Sequence, residues 1–210
     1  DDTGEFPEEF YRAMADGGWI GIAMPEEYGG AGLGVTEAAI MMHTVAKTRG
    51  AMSAASSIHM NIFGPHPISV FGNEEQKQRW IPDLVQGKYK SCFGVTEPNS
   101  GLNTAALQTR AERTNNGWVV NGRKIWTTFA QYADWIFCLV RTSKEVRKQQ
   151  GISFLLIDMK SPGITVKPIV TIDGKHSLNE VLFEDVEVPV ENLIGEQDKG
   201  WTYAKALLAH

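Results

Sequence analysis

Cysteine is scarce: the 210-residue chain holds two, Cys92 and Cys138. Both stand among strand-forming apolar residues, which argues against a disulfide framework or a nucleophile and for small buried thiols in a reducing compartment. The five histidines, His43, His59, His66, His176 and His210, have no spacing with Cys, Asp or Glu that would hold a metal, and no metal is expected. A block of like positive charge is missing too. With a formal charge of −5, the chain offers neither a nucleic-acid groove nor a polybasic membrane surface. The densest basic stretch, Lys144 to Lys148, is interrupted by Glu145 and reads as a solvated loop. No apolar run is long enough to cross a bilayer and no charged-then-apolar leader is seen, so a soluble protein is expected. What is present is globular material: 42% hydrophobic and 10% aromatic residues can bury a sizeable core, in one large or two small domains.

The hydrophobic period changes along the chain. Residues 1–88 read as helical. Pro7 opens a segment with Glu8 and Glu9 in its first turn, Phe10 and Met14 on an apolar stripe, and Gly17-Gly18 at its end. Thr36 and Glu37 start a helix that runs to Gly50. Ala51 to about Phe63 is rich in Ala, Ser and Met with almost no charge, so it must be buried nearly all round or face a pocket. Asn73 caps a helix carrying Trp80, Leu84 and Val85 and bent by Pro82.

From about residue 89 the period becomes two. Strand-like runs are expected at Thr109–Thr114, Trp118–Val120, Arg123–Thr128, Trp135–Arg141, Ile152–Asp158, Ile164–Pro168 and Glu180–Val188. Asn116-Gly117 and Asn121-Gly122 are hairpin signals between them. Short antiparallel strands with tight turns predict a barrel or sandwich over 89–190. In 191–210 helical spacing returns at Trp201, Ala204, Leu207 and Leu208, and the chain stops at His210 without a helix-ending residue. The fold class is therefore α+β: a helical domain (1–88), a β domain (89–190), and a linker with the first turns of a further helical bundle (191–210).

Chemistry concentrates where the β-type run Ser91–Val95 breaks at Thr96-Glu97-Pro98. Pro98 biases Glu97 towards an extended conformation, Asn99 and Gly101 tolerate positive φ, and successive free amides in such a loop can form an anion-holding concavity. A plain polar turn fits the same local composition. Trp126, taken alone, would be core, as most strand tryptophans are.

Taken together these segments resemble a family. Val-Thr-Glu-Pro (95–98) with its Gly-containing loop, then Asn-Gly-Arg-Lys-Ile-Trp-Thr-Thr (121–128), is similar to the flavin-binding middle domain of the acyl-CoA dehydrogenases. Pro-Glu-Glu-Tyr-Gly-Gly (25–30) resembles the loop between that family's early helices. Phe-Glu-Asp-Val-Glu-Val-Pro (183–189) with Asn-Leu-Ile-Gly (192–195) resembles its exit from the β domain.

The resemblance implies FAD as cofactor, and α,β-dehydrogenation of an acyl-CoA thioester to the 2-enoyl-CoA, with the β-hydrogen passing as hydride to the flavin N5. Phe93, Val95, Thr96, Gly101, Leu102, Trp126, Thr127 and Thr128 are carried over as cofactor-binding residues. Trp126 would cover the flavin, and Thr128 would stand near N5 and O4. Leu102 and Ser177 are carried over as substrate neighbours. No catalytic residue falls in this sequence, because the family's proton-abstracting Glu belongs to a C-terminal helical domain beyond it. The resemblance also implies an electron-transfer flavoprotein as acceptor and a homo-oligomeric parent, dimer or tetramer. Its place would be the bacterial cytoplasm, or the mitochondrial matrix in a eukaryote.

Two stretches depart from the family pattern. Gly101-Leu102-Asn103 stands where many relatives carry Gly-Ser-Asp, so Leu102 offers only a backbone amide. Ser177-Leu178-Asn179 replaces the more usual Ser-Asp-Thr. Gly29-Gly30-Ala31-Gly32-Leu33-Gly34 lacks the dinucleotide fingerprint and no strand precedes it; it reads as a loop shaping the acyl side of the site. The alternatives on the same scaffold are a flavin monooxygenase, an acyl-CoA oxidase, or a non-catalytic binding member.

Overall fold

The computed structural model describes residues 5–144 and 147–208. Glu145 in the basic stretch and His210 at the end lie outside the described residues. Two compact units are distinguished, one through Ser91 and one from Cys92 onward.

The first unit is helical: α1 (Glu8–Asp16), α2 (Val35–Ala46), α3 (Ala51–Phe63), α4 (His66–Phe71) and α5 (Glu74–Val85). Local chemistry sets the helix starts. Glu37 reaches back 2.9 Å to the Gly34 N–H, and Asn73 exchanges bonds with Gln76, a reciprocal cap that satisfies two orphan donors. α4 has no counterpart in the expected elements; its prolines and six-residue length leave too little apolar period to read. One face of α3 (Ala54, Ala55, Ser57, Ile58, Asn61) is buried, whereas Met52 is exposed and His59 stacks on Phe63 at 5.3 Å. Between α1 and α2 the Pro-Glu-Glu-Tyr-Gly-Gly segment forms a single 3-10 turn, Glu26–Tyr28. Tyr28 is buried there and donates at 2.6 Å to Glu74 at the start of α5. A Cβ on Gly30 would stand 2.1 Å from the Met24 carbonyl oxygen, so only glycine fits.

The second unit is a curled seven-stranded sheet: β1 (Ser91–Gly94), β2 (Arg110–Arg113), β3 (Gly117–Thr128), β4 (Trp135–Arg141), β5 (Ile152–Asp158), β6 (Ile164–Ile169) and β7 (Leu178–Pro189). The order is β1-β4-β2-β3-β7-β6, with β5 also paired to β4. The pairing is mixed, since β2 meets β4 in parallel at Arg110 and Arg141. Every residue from Ile136 to Val140 and from Ile152 to Ile157 is buried, because both faces of β4 and β5 are covered. α6 (Gly200–Leu208) follows β7 and packs on β5, with Gly200 against the Ser153 backbone and Tyr203 and Ala204 buried. Nothing is described of the Leu207 and Leu208 side chains.

Asn116-Gly117 does make the β2–β3 hairpin, but Asn121-Gly122 does not turn the chain. β3 runs on through it as one strand, with a register shift between Val120 and Gly122. A Cβ on Gly122 would lie 2.6 Å from Thr109 Cα, so here glycine serves a close strand crossing rather than a turn. Asn121 bonds Asp185 on β7 in both directions, at 2.9 and 3.0 Å, and closes the bulge.

Candidate functional site

The chemistry-bearing segments meet at one end of the β unit, where β1 runs out beside β3. A second register shift, between Lys124 and Thr127, places one extra residue in β3. Trp126 takes the left-handed conformation, φ 63°, and the residue is 54% exposed although it sits inside a strand. A bulky residue held there costs of order 1–2 kcal/mol, so the surrounding pairing must impose it. Thr127 turns inward and is buried, and Thr128 is half-buried.

Beside this bulge the chain leaves β1 through Val95 and Thr96. The Ile125 N–H donates to the Thr96 carbonyl at 2.9 Å. The Lys124 ammonium donates to the Val95 carbonyl at 3.2 Å and to Glu97 Oε1 at 2.8 Å. Lys124 is wholly buried and Glu97 is 6% exposed, so this is an ion pair inside the protein. The Glu97 carboxylate also accepts the Gln108 N–H at 2.6 Å and the Thr109 N–H at 2.9 Å. Burial opposes its ionisation, but the Lys124 charge and these donors outweigh burial and hold its carboxyl below the ordinary glutamate range.

Between those anchors the chain makes a tight reversal, Glu97 and Ser100 exchanging backbone bonds of 3.1 and 3.0 Å. It then exposes Gly101, Leu102 and Asn103. Among the described residues the amides of these three donate to no backbone carbonyl. Leu102 is fully exposed and a Cβ on Gly101 would meet nothing within 4 Å, so the loop tip is open to a ligand. Arg141 steadies the loop's far side through the Ala105 carbonyl at 2.7 Å.

Thr128 pairs with Leu178, and the Phe129 N–H donates to the Ser177 carbonyl at 2.8 Å, which brings Ser177 beside the same strand end. Behind it the buried Asn179 donates to the Thr127 carbonyl (3.1 Å) and bonds Gln131 and His176. Phe93 on β1 lies 5.9 Å from the Phe154 ring and is half-buried. The geometry thus brings together Val95, Thr96, Trp126, Thr127, Thr128 and Ser177. Gly101 and Leu102 stand apart on their loop.

Sequence pattern alone does not mark Glu97, Lys124, Asn179 and Gln131 as site residues. The available signal was a charged Lys124 two positions before an aromatic in a strand, where an apolar residue is the rule. Cys92 and Cys138 are both buried and free, and burial pushes the Cys138 thiol up to about 11, so neither is a thiolate nucleophile. No group of three or more metal-binding side chains occurs among the described residues. No described helix is long and apolar enough to cross a membrane. A further groove of about 470 Å³ lies within the helical unit, between Met14, Trp19, Leu33 and Ile40; its walls are almost wholly apolar, with Glu37 and Thr44 the polar residues on its lining.

An exposed aromatic face, unengaged hydroxyls at its flank and a loop of free amides are the features a planar, anionic ligand would engage. The comparisons with known proteins make that class specific. Residues 1–88 match the acyl-CoA dehydrogenase N-terminal domain and residues 92–186 match the acyl-CoA dehydrogenase middle domain. The chain is 35% identical over 190 residues to the acyl-CoA dehydrogenase FadE29 of Mycobacterium tuberculosis, covering 90% of this chain and 48% of that protein. It is 35% identical over 208 residues to an acyl-CoA dehydrogenase of Bacillus subtilis, covering 98% and 54%. Its fold superposes on a solved glutaryl-coenzyme A dehydrogenase complex with a TM-score of 0.92 at 29% identity, covering 100% of this chain and 54% of that one. The chain belongs to the acyl-CoA dehydrogenase family, a family of oxidoreductase flavoproteins. It spans about half the length of the curated relatives it matches.

The residues present fit a flavin. The Thr127 hydroxyl is buried without a hydrogen-bond partner, and the Thr96 and Thr128 hydroxyls, half-buried at the strand ends, have none among the described residues. A ring with polar edges would satisfy such groups, and an indole offers it a stacking face.

Proposed function

We propose that the full-length protein carrying this sequence is an FAD-dependent dehydrogenase that converts an acyl-CoA thioester to its 2-enoyl-CoA. The observation that carries this reading is Trp126, an indole held outward in a left-handed bulge beside two free threonine hydroxyls. FAD, when bound, supplies the acceptor for the hydride that leaves the thioester β-carbon. The chain's own part is positioning. Trp126 gives the ring a stacking face and excludes water, Thr96 and Thr128 donate to its polar edge, and the amides of Gly101 and Leu102 hold a phosphate. Ser177, beside the end of β3, lies against the thioester. The proton acceptor at the α-carbon comes from the part of the relatives' length that this chain does not span, and an electron-transfer flavoprotein takes the electrons onward. A homo-oligomer in the bacterial cytoplasm, or the mitochondrial matrix of a eukaryote, is the setting we infer.

The test is titration of the flavin-free full-length protein with FAD, followed by quenching of flavin fluorescence. Stoichiometric, strongly quenched binding is expected. No saturable binding would overturn the proposal.

A further inference from the structure

The two segments assigned to the flavin are twenty-seven residues apart and are joined by a fully buried ion pair, Glu97–Lys124. Such a pair needs a reason. Removing two charges from water costs several kcal/mol per ion, and similar stability is commonly reached with apolar side chains of the same size. The pair is also more connected than stability demands. The Glu97 carboxylate closes the base of the exposed loop by accepting the N–H groups of Gln108 and Thr109, eleven and twelve residues on. Its partner reaches to the Val95 carbonyl and lies on β3 directly before the bulge that turns Trp126 outward. One carboxylate and one ammonium therefore fix three things: where β1 ends, how the amide loop is closed, and where the β3 bulge falls. An apolar pair could fill the volume but has no direction, whereas charge-assisted hydrogen bonds specify geometry.

We propose that Glu97 and Lys124 are positioning residues for the cofactor. They hold the loop tip at Gly101–Leu102 and the Trp126–Thr128 strand in the single arrangement that accepts phosphate and ring together. They touch no reacting atom; they act through Val95, Thr96 and the bulge. This inference rests on the flavin reading of the site.

The experiment uses the full-length protein and two single variants, Lys124→Met and Glu97→Gln. Asn192→Ala serves as the control of comparable burial, since Asn192 braces Leu156 on β5 and lies outside the site. Hydrogen exchange at the Ile125 amide, which donates to Thr96, is read first in flavin-free protein. It is expected to quicken at least tenfold in both site variants beyond any change in the control. FAD affinity and the visible circular dichroism of the bound flavin are read next. A Kd raised tenfold or more with an altered dichroic band is expected in both site variants, at a loss of thermal stability that the control matches without either change.

Unchanged Ile125 exchange would overturn the proposal, and so would altered exchange with wild-type affinity and dichroism, since the pair would then brace the fold without placing the cofactor. If a site variant fails to fold, the double variant Glu97→Gln/Lys124→Met removes the stranded charge, and the same two readouts decide. Wild-type protein that takes no FAD at all would defeat the flavin reading itself, and the exchange result would still report whether the brace exists.

Discussion

Asn61 and Ser91 stand thirty residues apart and are bonded twice, the Asn61 side-chain Oδ1 accepting the Ser91 N–H at 2.9 Å and the Ser91 hydroxyl at 3.2 Å. The amide of the same side chain donates to the Tyr11 hydroxyl at 2.7 Å and to the Tyr89 carbonyl at 2.6 Å. One buried asparagine thus joins α1, α3 and the last residues of the helical unit, Tyr89 and Ser91. Asn61→Leu should lower unfolding stability by about 2–4 kcal/mol, because several buried polar groups lose their partner at once. Urea unfolding followed by far-UV circular dichroism measures this; a loss under about 1 kcal/mol would mean water replaces the amide at little cost.

Gly122 and Gly101 make a matched pair. A Cβ on Gly122 would collide with Thr109 at a φ of 152°, whereas one on Gly101 would enter open space. Gly122→Ala should cost roughly 2 kcal/mol or more, and Gly101→Ala less than about 0.5 kcal/mol. Thermal melts of the two variants give the comparison. Equal melting temperatures would deny the strand crossing its role in selecting glycine.

The buried carboxylate gives a pH prediction with a fixed sign. Glu97 titrates below the ordinary glutamate value of 4.5 in the folded protein. The stability it contributes is fully present above that ordinary value and is lost as pH falls through the lower, folded one. The wild-type advantage over Glu97→Gln should therefore shrink over the acid range that begins at the ordinary glutamate value and runs down through the lowered, folded one. Denaturant midpoints of both proteins across that range check it, and a constant difference would mean the carboxyl does not titrate with folding.

Much of this was legible locally. Asn73 before Glu74 and Glu75, Pro7 before Glu8 and Glu9, and Asn116-Gly117 carry their structure in a few adjacent residues: a side-chain cap, a helix start without one, and a hairpin turn. Asn121-Gly122 carries the same dipeptide signal yet lies within a strand, because Thr109 crosses there and Asn121 is held by Asp185 on β7. No local window contains either partner. The same is true of the site. Trp126 could be found as an aromatic in a strand, but its outward turn depends on a bulge against Asn179 and Val181, and the Glu97–Lys124 pair depends on the meeting of β1 and β3. Parallel pairing of β2 with β4 was hidden for a like reason, since alternation is identical in either direction.

Trp126→Ala should weaken FAD binding by about 1–2 kcal/mol, roughly five- to thirtyfold, without unfolding the β unit, because the exposed indole contributes a stacking face rather than core. Fluorescence titration with FAD measures it. Wild-type affinity would remove Trp126 from the site.

Thr128→Val keeps the volume and deletes a donor. With a substrate the wild type uses, flavin reduction should slow by roughly fivefold, corresponding to about 1 kcal/mol for the lost hydrogen bond. Stopped-flow loss of the visible flavin band reads the rate; an unchanged rate would place Thr128 away from the ring edge.

We propose that the full-length protein holds its flavin so that a thioester can be oxidised between its α- and β-carbons. The most direct measurement is anaerobic mixing of the FAD-loaded full-length protein with a panel of straight-chain, branched, dicarboxylic and steroid-side-chain acyl-CoA thioesters, with mass spectrometry of each product. The account predicts that at least one member of the panel bleaches the flavin and is recovered as the enoyl-CoA, lighter by one pair of hydrogens. FAD-loaded protein that leaves every thioester unchanged and its flavin oxidised would contradict it.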